Sequence, residues 1–195
     1  MTIRKGEPWG EAVDRPIGLR VAGCDADVAE AFRGEAVDAV GLSGGDLYRA
    51  VGSPPTRTAM QRLPIDVLDV TADGHEFVAV AHVVARRGWW RGRILAVMNV
   101  DHLGDWNVAP RAHPNDGRFD VIDVDPAMTV RERWQARGRL AAGTHVPHPR
   151  ISVRTGTEMA WSFDRPYRIR VDGADVTEAR ELAITVRPDA FAVVV

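Results

Sequence analysis

Cysteine is almost absent, with Cys24 the only one in 195 residues. An intrachain disulfide framework, a four-cysteine zinc site and a Cys-x-x-Cys redox pair are therefore excluded, and any core must hold without covalent staples. Neither sign of charge dominates: 25 Lys+Arg face 27 Asp+Glu, for a formal net charge of -2. No chain-wide field favours a polyanion, which argues against a nucleic-acid coat protein and leaves nucleic acid outside the expected partners. Long apolar runs are also lacking. The stretch around Phe77 to Ala85 is interrupted by His82 and falls far short of the ~20 residues of a membrane helix. Met1-Thr2-Ile3-Arg4-Lys5 leads into Gly6-Glu7-Pro8 rather than an apolar leader, so a cytoplasmic protein is expected. What remains is an ordinary globular composition, 45% apolar and 27% charged, long enough for one sizeable core.

Two regions differ in texture. Over residues 1–62, short apolar clusters alternate with Gly, Pro and Asp. One helix is expected from Asp25 through Val37, capped by Asp25 or Asp27 and ending near Gly34; a shorter one follows Gly44-Gly45-Asp46 and stops at Gly52-Ser53-Pro54-Pro55. From residue 63 to 195, strand signals recur. Ile65 to Val70 and Glu76 to Ala81 flank an Asp73-Gly74 turn, and Val78, Val80, His82 and Val84 would share one face of a continuing strand. Arg86 to Gly92 reverses the chain and Ile94 to Met98 returns. Further strands are expected at Phe119 to Val124, Ile151 to Arg154, Glu158 to Phe163, Tyr167 to Val171, Leu182 to Val186 and Ala190 to Val195. The helical interruption is Thr129 to Leu140, between Asp125-Pro126 and Gly143. The fold this implies is mainly β: a β-sandwich with one helical insertion, preceded by a shortened α/β segment.

An ordered series of short motifs carries a resemblance. Met98-Asn99, Gly104, the run Val108-Ala109-Pro110-Arg111-Ala112-His113-Pro114-Asn115-Asp116-Gly117-Arg118-Phe119-Asp120-Val121, Gly143-Thr144-His145, Val171-Asp172-Gly173 and the closing Arg187-Pro188-Asp189-Ala190-Phe191 strand follow one another. Together they resemble the C-terminal domain of the diacylglycerol kinase and bacterial lipid kinase family. That resemblance implies a β-sandwich closing over a nucleotide-binding α/β domain, with ATP and magnesium as cofactors and a lipid hydroxyl as phosphate acceptor. Ser43-Gly44-Gly45-Asp46-Leu47 is similar to the start of the family's G-G-D-G-T phosphate loop, which assigns Gly44, Gly45 and Asp46 to the nucleotide. Asp116 matches the aspartate of a structural magnesium site. Asp172 falls at the family's D-G-E turn, near metal or acceptor.

The departures matter as much. The loop loses its last glycine and threonine. The D-G-E glutamate, candidate proton acceptor from the lipid hydroxyl, is replaced by Ala174; Asp175 comes one position later, and a one-residue shift in a strand points a side chain to the opposite face. Two readings follow: a reduced, catalytically impaired relative acting as a binding or accessory protein, or an active ATP- and magnesium-dependent lipid kinase. Expected partners of the first are a lipid or membrane surface, a second copy of the chain, or a separate chain supplying the nucleotide domain.

Plainer explanations stand beside each motif. Gly44-Gly45-Asp46 also suits a tight turn capped by its aspartate, and Asn115-Asp116-Gly117 is a strong turn former. His102, His113, His145 and His148 fit no familiar zinc spacing. The arginines of 86–93 around Trp89 and Trp90, and Arg131, Arg133, Arg137 and Arg139 around Trp134, suit anionic lipid headgroups or simply a solvated hairpin tip and helix face.

Overall fold

Strands organise nearly all of the computed structural model, which describes residues 9–34, 37–52 and 60–195. The first part contains β1 (Glu11–Val13), β2 (Val21–Ala22), α1 (Asp25–Arg33), β3 (Val40–Leu42) and α2 (Asp46–Ala50). There follow β4 (Met60–Ala72), β5 (His75–Ala79), β6 (His82–Arg86), β7 (Ile94–Met98), β8 (His102–Leu103), β9 (Trp106–Asn107) and β10 (Phe119–Val124). Helix α3 (Val130–Leu140) then precedes β11 (Ile151–Gly156), β12 (Glu158–Val171) and β13 (Ala174–Val194). The antiparallel path runs β1-β4-β13-β12-β6-β7-β10-β11, with β5 added to β4 and β8-β9 forming a separate small ribbon. This is the expected β-sandwich with its helical insertion. In the shortened α/β segment, β2 and β3 pair in parallel across α1, and β3 continues in parallel onto the end of β13.

Several expectations need adjustment. Glu158–Phe163 and Tyr167–Val171 are one strand, as are Leu182–Val186 and Ala190–Val195 in large part, because irregularities between Ser162 and Tyr167 and between Arg187 and Phe191 bend a strand without ending it. Pro166 and the positive φ of Asp189 lie at those bends. Conversely, the strand expected to run through Val80 is cut: β5 pairs with β4, whereas β6 pairs with β7 and β12. Helix α1 ends at Arg33, and its N-cap is Cys24, without a side-chain cap. Asp27 instead accepts the Gly23 N–H, and Asp25 reaches across to α2. Residues 53–55, expected to stop the second helix, lie outside the described residues. Helix α3 begins one residue after Thr129, whose hydroxyl accepts the Glu132 N–H while the Glu132 carboxylate accepts the Thr129 N–H at 2.7 Å, a reciprocal capping box.

The apolar run Ile94–Met98 serves two cores at once. Successive side chains of a strand point to opposite faces. Leu95 and Val97 join Leu68, Phe119, Ile169 and Leu182 inside the sandwich. Ile94, Ala96 and Met98 join Val84, Ile122 and Met128 on the outer face, beneath α3. A third cluster fastens the α/β segment to the sandwich, bringing Val28, Val40 and Leu47 onto Ile65, Val67 and Val193.

Candidate functional site

Two Asp-Gly turns do the same structural work under opposite electrostatics. Asp73-Gly74 and Asp172-Gly173 both have positive φ at both residues, the mirror-image turn that matches strand twist and that only Gly, Asn and Asp adopt readily. The Asp73 carboxylate accepts the N–H groups of Arg180 and Glu181. It is exposed, and those donors, led by Glu181, hold its pKa below the usual carboxylate value. The Asp172 carboxylate accepts three N–H groups, from Val80 at 2.8 Å and from Ala81 and His82 at 2.9 Å each. These are the donors at the cut between β5 and β6, so Asp172 takes the place of a neighbouring strand there. Burial pushes Asp172 up to about 7 in spite of the three donors, with the nearby Asp25 charge adding to the rise.

Asp172 lines a pocket of about 190 Å³ together with Asp25, Asp46, His82, Gly104 and Arg170. Asp25, Asp46, His82 and Asp172 are all buried, at 5–9% exposure. Asp25, Asp46 and His82 each bring one ligand-type atom within 4.8 Å of the others. His82 Nδ1 stands 3.6 Å from Asp46 Oδ2 and has no hydrogen-bond partner. Burial lowers the His82 pKa, opposed by the Asp46 carboxylate. Arg170 is engaged elsewhere: its Nε lies 3.0 Å from Asp175 Oδ1 and its guanidinium donates to the Gly173 carbonyl. Asp175, the carboxylate one step beyond the missing glutamate, is thereby turned to an exposed ion pair.

The geometry of Gly44-Gly45-Asp46 bears directly on the nucleotide. The N–H groups of Asp46 and Leu47, which would face a phosphate, donate to the Asp25 carboxylate at 2.8 and 2.9 Å. A Cβ at Gly45, whose φ is +96°, would come within 2.4 Å of Asp25 Oδ1; one at Gly44 would come within 2.4 Å of the Gly23 carbonyl oxygen. The space these glycines leave is therefore filled by the chain itself. Asp46 does not cap its helix: both its oxygens accept the Gly104 N–H, tying α2 to the turn between β8 and β9. The residues present do not fit a nucleotide phosphate in this arrangement.

On the outer face of β6, β7 and β10, under α3, lies an apolar cavity of about 260 Å³. Val84, Ala96 and Ile122 form its floor, Trp89 and Trp106 its wall, and Ala136 and Leu140 of α3 its roof. Val84, Trp89 and Leu103 also line the polar pocket, so the two spaces adjoin. Arg133 holds the roof to the wall: its guanidinium donates to the carbonyls of Met128, Trp89, Asp125 and Gly92 and spends its hydrogen-bonding capacity on backbone. At the rim, Trp89 and Trp90 are exposed; Val130 and Trp134 of α3 are exposed as well, outside the cavity lining. Arg137 lies over the Trp90 and Trp106 rings.

Asp116 is not drawn into this site. It is half-buried in its turn, where its carboxylate accepts the Arg118 N–H and burial raises its pKa. Among the described residues it finds no two further carboxylate or imidazole atoms at metal spacing. Its neighbour Asp66, fully buried, carries the local structure: it accepts the N–H groups of Gly117 and Asp189, and burial raises it to about 6. His102, His113, His145 and His148 form no metal group among the described residues either; His113 accepts the Asn115 N–H, and His145 is buried in the cavity wall. Sequence spacing overlooked Asp25, Asp66 and His82. The one available signal was His82 interrupting an otherwise apolar strand.

The chain thus combines a mainly antiparallel sandwich, a short parallel α/β segment on one edge and a buried Asp172 turn beside a polar pocket. Residues 57–195 match the family model of the YegS C-terminal NAD kinase beta sandwich-like domain, and the chain belongs to that family. No curated protein sequence matches it. Among solved structures, it is similar to a candidate diacylglycerol kinase from Bacillus anthracis str. Sterne, at 11% identity and a TM-score of 0.66 over 90% of this chain and 77% of the other. A second structure described as a diacylglycerol kinase from the same organism gives 13% identity and a TM-score of 0.59, over 89% and 74% of the two chains. At such identities the likeness is one of fold.

Proposed function

We propose that this chain is a lipid-binding relative of the lipid kinases that does not itself transfer phosphate. One juxtaposition carries the reading: a formed apolar cavity adjoins a phosphate turn whose N–H groups are taken by the protein's own Asp25. The cavity exceeds the roughly 150 Å³ that, when lined by apolar side chains, stays dry and accepts a benzene-sized guest. An acyl chain suits its lining of aliphatic and tryptophan side chains, with a polar headgroup directed to the adjoining pocket. Ala174 in place of a carboxylate removes the natural proton acceptor for a lipid hydroxyl. The rim supports peripheral attachment to an anionic bilayer. Arg87 and Arg91 are exposed in the same loop as Trp89 and Trp90, without ion pairs among the described residues, beside tryptophans suited to the interface. No helix among the described residues is long and apolar enough to cross a membrane.

The test pairs binding with turnover. A fluorescently labelled acyl lipid should quench the tryptophan emission saturably, and Ala136→Phe, which fills the cavity from its roof, should weaken that binding at least tenfold. ATP with magnesium and diacylglycerol should yield no phosphorylated lipid. Turnover that vanishes in Asp46→Ala would establish the active-kinase reading, with ATP and magnesium as cofactors, and overturn this one.

A further inference from the structure

Three carboxylates, Asp25, Asp46 and Asp172, are buried around one small pocket. Buried charges in proteins are paired, heavily hydrogen-bonded or bound to a cation, because the desolvation cost is otherwise large. Backbone N–H groups offset part of that cost. The pocket's own cation, Arg170, is turned toward Asp175 and the Gly173 carbonyl. Beside these carboxylates stands an imidazole nitrogen with no partner: His82 Nδ1, on a side chain only 6% exposed. An orphaned, fully enclosed ring nitrogen aimed at a carboxylate 3.6 Å away is costly unless something binds it.

We propose that Asp25, Asp46 and His82 form a binding site for one divalent transition-metal ion, with zinc as its best-suited occupant. Ligands at about 2.0–2.2 Å from a tetrahedral ion lie about 3.4 Å from one another. The His82–Asp46 separation is already near that value, and the full set, within 4.8 Å, closes by small side-chain rotations. Each carboxylate oxygen keeps a lone pair beyond its backbone hydrogen bonds, so the N–H contacts to Asp25 and Asp46 persist on binding. One nitrogen with two carboxylates suits zinc or manganese, whereas magnesium prefers an all-oxygen octahedral shell rich in water. Three protein ligands leave a fourth position facing the pocket, open to water or to a ligand's polar group. Asp172 sits behind the set, holding the His82 backbone N–H and so fixing the strand that presents the imidazole. This site stands independently of whether the neighbouring cavity takes a lipid.

The experiment uses the whole chain, stripped with chelator and titrated with zinc, manganese and magnesium. Zinc should bind at one ion per chain after gel filtration and raise Tm by several degrees, reversed by chelator; magnesium at equal concentration should do neither. Replacing zinc by Co2+ should give the intense visible absorption of a tetrahedral site. His82→Gln and Asp46→Asn should each lower zinc affinity at least tenfold and abolish the cobalt spectrum. His102→Ala, which removes the more exposed Asp101–His102 pair, should change neither. Should His82→Gln fold poorly, the 15N shift of the His82 imidazole in the wild-type chain supplies the same answer, since coordination at Nδ1 moves it strongly. Zinc that fails to bind, that binds equally in His82→Gln, that leaves the His82 shift unmoved, or that magnesium matches overturns the site.

Discussion

Replacing Asp172 separates a structural carboxylate from a catalytic one. In Asp172→Ala the N–H groups of Val80, Ala81 and His82 lose their acceptor, and these residues are 0%, 0% and 5% exposed. A buried donor left without a partner costs about 1–3 kcal/mol. Three at the low end come to about 3 kcal/mol, a large share of the 5–15 kcal/mol stability of a typical domain. For a chain of this size that lowers Tm by about 6–12 °C. Asp172→Asn should cost less, about 1–3 kcal/mol: its amide oxygen still serves two donors and its NH2 opposes the third. Differential scanning calorimetry at pH 6 measures both. Opposing the loss is the release of a buried carboxylate whose pKa burial has raised to about 7. If Asp172 only served chemistry, that release would dominate; a Tm unchanged or raised in Asp172→Ala would refute the structural assignment.

Asp66 provides a pH prediction. Its folded pKa of about 6 lies above its ordinary value of 3.8, so the fold prefers the protonated form; that contribution is complete below about 3.8 and lost as pH rises through 6. At about 1.4 kcal/mol per tenfold change in proton affinity, it amounts to up to about 3 kcal/mol. The buried His82 and His145 and the half-buried His113, with pKa values lowered by burial, act in the opposite direction below 6.5. The readout is therefore the difference between Asp66→Asn and wild type, which should shift in favour of the variant by about 2–3 kcal/mol from pH 4 to pH 7 in urea melts; a flat difference would remove the shift. Gly45→Ala should destabilise by more than 1 kcal/mol in thermal melts, because it combines a positive φ with a Cβ driven into Asp25. Full stability in that variant would mean that the turn does not close on Asp25 as described. Gly138→Ala should stabilise by about 0.5–1 kcal/mol, since the position lies inside α3 with nothing near its missing Cβ. A lowered Tm there would show that α3 needs its glycine.

Local chemistry made much of the fold readable from residues alone. Asp73-Gly74 and Asp172-Gly173 specify mirror-image turns whatever surrounds them. Thr129 with Glu132 marks a helix start by spacing. The unbroken Ile94–Met98 run announces a strand covered on both faces. The ordered motifs from Met98 to Phe191 were enough for the family.

What residues alone did not decide depends on which distant groups meet. Asp73 and Asp172 read identically in sequence, yet one is exposed with a lowered pKa and the other is buried with a raised one, because only Asp172 turns inward onto the cut between β5 and β6. Gly44 and Gly45 read as room for a phosphate; tertiary packing instead places Asp25, some 20 residues earlier, in that room. His82 read as one more residue on a strand face, but the cut between β5 and β6 turns it toward Asp46. The sequence by itself determined the Asp-Gly turns, the start of α3 and where most strands fall along the chain, which depend on neighbouring residues. Only the tertiary structure decided the occupant of the phosphate turn, the apolar cavity under α3 and the Asp25–Asp46–His82 cluster, because each joins side chains from segments far apart along the chain.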